Sequence, residues 1–182
     1  MNTIRDPTTG RTWATSRELI QHIEATYHGY LRLTLPILEH LADSIANQHA
    51  LPATYVERLQ RLFTALADGI EMHLARQECR LFPEIRRLRQ PVGDTAWVTQ
   101  PAEDVQDLME RSVRESQDLL DDLQRVEECL RDPEWGGKLR EVEQLSVDIR
   151  ELEENLLEHF NLENRVLFQA VREMIGAQAL AV

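Results

Sequence analysis

The chain has 182 residues, a net charge of −12 and few aromatic side chains, which suits one helical domain with a sizeable core rather than a sheet. The acidic balance, with no basic stripe to offset it, argues against nucleic acid and anionic membrane surfaces as partners. No apolar run reaches membrane-spanning length.

In chain order, residues 1–15 form a short extension. They lack the apolar core of a signal peptide, so a soluble, cytoplasmic protein is expected. Thr15 or Ser16 caps a first helix over 16–48, with Glu18 completing the cap and Leu19, Ile20 and Ile23 starting the apolar stripe. Pro36 falls inside that helix and should kink it or locally break its ladder. Pro52 opens a second helix running to Arg89, with Val56, Leu59, Phe63, Leu66, Ile70, His73 and Gln77 in 3-4 spacing. Residues 90–100 lack periodicity and form a loop. A third helix starts at Pro101 with Met109, Val113, Ser116, Leu120 and Leu123 facing inward, and DPEWGG (132–137) ends it. The fourth carries Val142, Leu145, Ile149, Leu152, Leu156, His159 and Glu163. Short connections favour antiparallel neighbours, so the expected fold is an all-α, up-down-up-down four-helix bundle over 16–175. The tail 176–182 extends the last helix or packs on a second subunit in a homodimer. Cys79 and Cys129 are too few for a disulfide framework and are expected to be reduced structural thiols.

Two phrases nearly repeat, IEMHLARQECRLF (70–82) and LLEHFNLENRVLF (156–168). On a helix, i and i+4 share a face, so His73 points with Gln77 and His159 with Glu163. All four sit at core positions, where an unpaired polar group costs about 1–3 kcal/mol. Mutual hydrogen bonding, buried water or a metal ion would satisfy them. Antiparallel packing brings His28 of the first helix to the level of His73. Glu24, four residues earlier, either turns inward as a further carboxylate ligand or stays solvated. His49 lies on the same stripe but ~32 Å along a straight helix from His28, so it belongs to the far end. His22 and His40 fall off the face and should be solvated. Glu110 and Glu115 should face solvent on a helix rich in charge.

These phrases, with ELIQHIEATYHGYLRLTLPILEHLA and MERSVRESQDLLDDL, resemble the hemerythrin-like (HHE cation-binding) family over about residues 16–171. The likeness is greatest to its branch of di-iron proteins associated with nitrosative stress and iron–sulfur cluster repair. The resemblance implies a His from the first helix, His-x3-Glu from the second, a His from the third and His-x3-Glu from the fourth, the two carboxylates bridging two irons. His28, His73, His159 and Glu163 match that pattern. Gln77 stands where a bridging Glu is implied, and alignment puts Val113 where the third helix's His is implied.

A neutral Gln offers a metal only its carbonyl oxygen, and Val offers nothing. Three His and one Glu remain, a set suited to one divalent ion. Iron, as one or two ions, is the implied cofactor, with zinc or manganese as other candidates. Glu24 and Gln77 are weaker candidate ligands. The reading is therefore a metal-binding protein with a partly degenerate site that handles iron, O2 or NO under stress. The competing reading is a bundle without redox chemistry that acts as an interaction or regulatory module. No nucleophile–base pair or phosphate-binding loop points to hydrolysis or phosphoryl transfer.

Overall fold

The computed structural model describes residues 3–47, 53–88, 102–135 and 140–179. Four long helices make the bundle: α1 (16–46), α2 (53–87), α3 (Ala102–Leu130) and α4 (140–179). The start of α1 is fixed by its expected cap. Thr15 Oγ1 accepts from the Glu18 N–H (3.2 Å), while Glu18 Oε2 accepts from the Ala14 N–H (2.9 Å). Helix Gly29–Ala46 runs through Pro36 without interruption. The helix continues because Pro36 lies on its exposed side, where the one ladder bond that its missing N–H removes leaves no buried donor unpaired. His49, the helix starts at Pro52 and Pro101, the helix end at Arg89 and the 90–100 loop lie outside the described residues.

Ahead of the bundle, residues 3–15 contain a small ribbon. β1 (Ile4–Arg5) pairs antiparallel with β2 (Thr12–Trp13), Ile4 opposite Trp13. Asp6 organises the turn by accepting from the Thr8 N–H at 2.8 Å, and Gly10 supplies the left-handed residue at φ +72°. Trp13 is buried and joins the core beneath the ribbon.

The core has two apolar clusters. One contains Leu31, Leu35, Phe63, Leu66, Leu119, Leu145 and Leu156; the other contains Leu19, Ile23, Phe82, Met109, Phe168 and Val171. Between them along every helix comes a polar layer: His28, then His73 and Gln77, then Ser112 and Ser116, then His159 and Glu163, all buried. On α3 the inward positions are Met109, Ser112, Ser116, Leu119 and Leu123. This corrects the expected register: Val113 is 38% exposed and Leu120 only partly buried. Small serines, rather than the more apolar Val113, take the inward face because the layer they meet is polar.

Three of the four helices carry a five-residue π-helical turn at this layer, Glu24–His28, Gln77–Leu81 and Glu163–Leu167. The turn ends at His28 on α1 but begins at Gln77 on α2 and at Glu163 on α4, as antiparallel directions require. Such insertions rotate the flanking helix segments relative to each other and recur at functional sites.

Candidate metal centre

His28, His159 and Glu163 are each fully buried and offer nitrogen and carboxylate atoms within 4.8 Å of one another. His159 Nε2 and Glu163 Oε1 are 3.1 Å apart, but neither has a hydrogen-bond partner among the described residues. His28 Nε2, His73 Nε2 and Gln77 Oε1 are likewise buried and unpartnered. At about 1–3 kcal/mol for each unmet polar group, five such atoms in one layer are a heavy cost for a hydrogen-bonded core alone. A bound cation would satisfy them together. The residues fit a metal ion.

Carboxylates outside the layer hold two of the histidines. Glu78 Oε1 accepts from His28 Nδ1 at 2.7 Å and also pairs with Arg32. Glu115 Oε2 accepts from His73 Nδ1 at 3.3 Å, while its other oxygen meets Arg76 Nε at 3.0 Å. Because a carboxylate only accepts, each contact places the imidazole proton on Nδ1 and leaves the Nε2 lone pair facing the layer. Glu115 is thus largely buried rather than solvent-facing. Burial, and next the positive field of His159, lower the His28 pKa despite Glu78, so its imidazole is kept in the neutral form that binds metals. For Glu163, burial pushes the pKa up, but it is outweighed, first of all by the positive field of His159 one helical turn away. The carboxyl stays below its usual range and is ionised.

Gln77 closes the other half of the layer. Its Nε2 donates to Glu163 Oε2 at 2.8 Å and to Ser112 Oγ at 3.1 Å. His73 lies on this side, with Nε2 4.0 Å from Glu163 Oε2, and is not among the three groups that converge most closely. Glu24 Oε2 accepts from Arg86 Nη2 at 2.7 Å and is not among the three converging groups. Of the other sequence expectations, His40 and Glu110 are exposed, and Cys129 is a buried core thiol, whereas Cys79 is exposed. His22 corrects its expectation of solvation: it is half-buried, contacted by Arg11 and Thr26, and flanked by the rings of Trp13 and Tyr27.

Sequence reasoning missed Glu78, Ser112 and Tyr27, whose ring stacks on that of His159 at 5.4 Å. Glu78 and Tyr27 each adjoin a stripe residue, but pairing across helices has no period to reveal it. For the π turn of α1 there is a signal. The buried stripe advances by three or four except from Ile23 to His28, a step of five that a π turn accommodates.

The sequence profile described as "Hemerythrin HHE cation binding domain" matches residues 19–171. Proteins named "Iron-sulfur cluster repair protein YtfE" from Salmonella paratyphi B, Salmonella newport and Salmonella heidelberg are each 30% identical to this chain over 156 residues. The aligned region covers 83% of this chain and 64% of each relative, so the chain spans less than two thirds of their length. No helix among the described residues is long and apolar enough to cross a membrane. The polar layer on four antiparallel helices and the profile match over most of the chain lead to one conclusion: the chain belongs to the hemerythrin HHE cation-binding domain family.

Proposed function

We propose that this protein binds a single ferrous ion through His28, His159 and Glu163, with His73 as a fourth ligand, and exposes it to a small diatomic molecule such as O2 or NO under stress. The convergence of buried, unpartnered Nε2 and Oε1 atoms on one layer carries this reading. Two imidazoles and one carboxylate are a donor set suited to Fe(II) with open positions. Zn(II) and Mn(II) would also be accepted by these donors. Gln77 Oε1 is available as a weaker neutral donor, whereas Glu24 is engaged by Arg86.

The single-ion count rests on Gln77. Its NH2 group occupies Glu163 Oε2, the oxygen a second cation would need, and an amide hydrogen repels a cation. Access favours a small ligand. A pocket of about 20 Å3 between α2 and α3, lined by Arg80, Leu108, Arg111 and Ser112, reaches Gln77, and this volume admits about one water-sized molecule. The relatives are named for iron–sulfur cluster repair, and iron handling is the part of that activity carried over here. A homodimer would use apolar surface such as Leu33 and Ile37, both exposed one turn apart on α1.

Anaerobic reconstitution with Fe(II), Zn(II) and Mn(II), followed by elemental analysis, tests the reading. One ion per chain that is lost in Glu163→Gln is expected. Metal-free protein after all three reconstitutions would refute it and favour an interaction module.

A further inference from the structure

Four aromatic rings run in contact from the candidate ligand His159 to the N-terminal ribbon. The Tyr27 ring lies parallel to that of His159, with an interplanar angle of 8° and centroids 5.4 Å apart. Tyr27 meets His22 edge-on at 6.0 Å, and His22 meets Trp13 at 5.7 Å. His28 and His73 are each backed by a carboxylate at Nδ1, but His159 Nδ1 has no hydrogen-bond partner among the described residues. What this histidine has instead is an aromatic ring over its face. Trp13 sits in the ribbon, ahead of the family-matched residues 19–171, and is 8% exposed.

The intermediate ring is fixed. Arg11 Nη1 lies 3.0 Å from His22 Nε2, and a guanidinium can only donate, so Nε2 accepts and Nδ1–H donates to Thr26 Oγ1 at 3.0 Å. His22 is therefore held neutral between two side chains that readily give up one electron. Short steps between touching π systems pass an electron far faster than one long step to the surface.

We infer that Tyr27 is a redox-active residue that gives an electron to the metal site through His159, and that Trp13 refills it through His22. The inference rests on the ferrous reading above. With hydrogen peroxide as oxidant the step balances. Peroxide takes one electron from the ferrous ion and one from the Tyr27 phenol, and its O–O bond breaks. Its own two protons, the phenol proton and one solvent proton complete two waters, leaving a ferric ion and a neutral Tyr27 phenoxyl radical. An electron from Trp13 with its indole proton then restores the phenol, and a thiol in solution reduces the Trp13 radical by giving it a hydrogen atom. The relay moves an oxidising equivalent away from the buried histidines to the edge of the fold.

The chain has three tyrosines, Tyr27, Tyr30 and Tyr55, so a radical can be assigned. Protein loaded with Fe(II), its iron counted, is mixed with hydrogen peroxide, frozen within milliseconds and examined by electron paramagnetic resonance. A tyrosyl signal is expected in wild type and in Tyr30→Phe. It should be absent in Tyr27→Phe, which keeps the stacked ring and should keep the iron count, and several-fold longer-lived in Trp13→Phe. Iron-loaded wild type without a tyrosyl radical, or the same radical in Tyr27→Phe, would overturn the relay and leave the metal site standing. Failure to bind iron would overturn both.

Discussion

Gln77 donates to Glu163 Oε2 and Ser112 Oγ from one amide nitrogen, so a single neutral side chain ties three helices together where a second cation would otherwise sit. Gln77→Glu would bring two buried carboxylates together, and one of the pair must then take a proton or be neutralised by metal. We expect this variant to lower the stability of the metal-free protein by about 3–5 kcal/mol, the range for an uncompensated buried charge, and to recover on metal addition. Thermal melts with and without Fe(II) measure both, and an unchanged metal-free melt would count against the contact. A pH effect follows from His28. Its folded-state pKa is depressed, by burial first and then by His159, so below about 6.5 the unfolded chain binds a proton that the folded chain refuses. Metal-free protein should therefore lose stability as pH falls from about 6.5 toward 5, and His28→Gln should flatten that slope. Glu163 is held below the usual carboxylate range, so its own loss of stabilisation comes at lower pH.

At the scale of elements, the π turns set the layer. Between Ile23 and His28 the π turn absorbs one extra residue, so that the apolar face of 16–23 and the ligand face from His28 onward both point inward. Ala25 lies exposed in that turn. Deleting it shortens the step from Ile23 to His28 to four, an ordinary helical step, so the turn should convert to α-helix with both faces still pointing inward. Far-UV circular dichroism should stay helical and stoichiometric iron should be retained. Loss of iron would show that the π turn itself, beyond the register it preserves, positions His28. α3 has no π turn among its described residues and supplies serines rather than histidine to the layer. The helix without the distortion is the one without a candidate ligand.

For the whole molecule, the helices, their antiparallel order and the height of the layer were legible because leucine spacing and buried histidines are periodic signals. The facing of α3 was not. Serine is neither clearly apolar nor charged, so counting hydrophobic residues favoured Val113 over Ser112. Glu78 and Glu115 were hidden for another reason: each sits beside a stripe and gains its partner only when two helices pack. The ribbon of residues 4–13 was too short to show alternation, yet its Trp13 covers one apolar cluster and ends the chain of rings. Two apolar clusters thus enclose one polar layer, half arranged to receive a cation and half closed by hydrogen bonds. X-ray absorption at the iron edge, on protein loaded with excess Fe(II), tests this division most directly. A nitrogen- and oxygen-ligated iron with histidine scattering and no iron–iron vector is the predicted result. An iron–iron vector at about 3.5–4 Å, the spacing of two-metal sites, would contradict it.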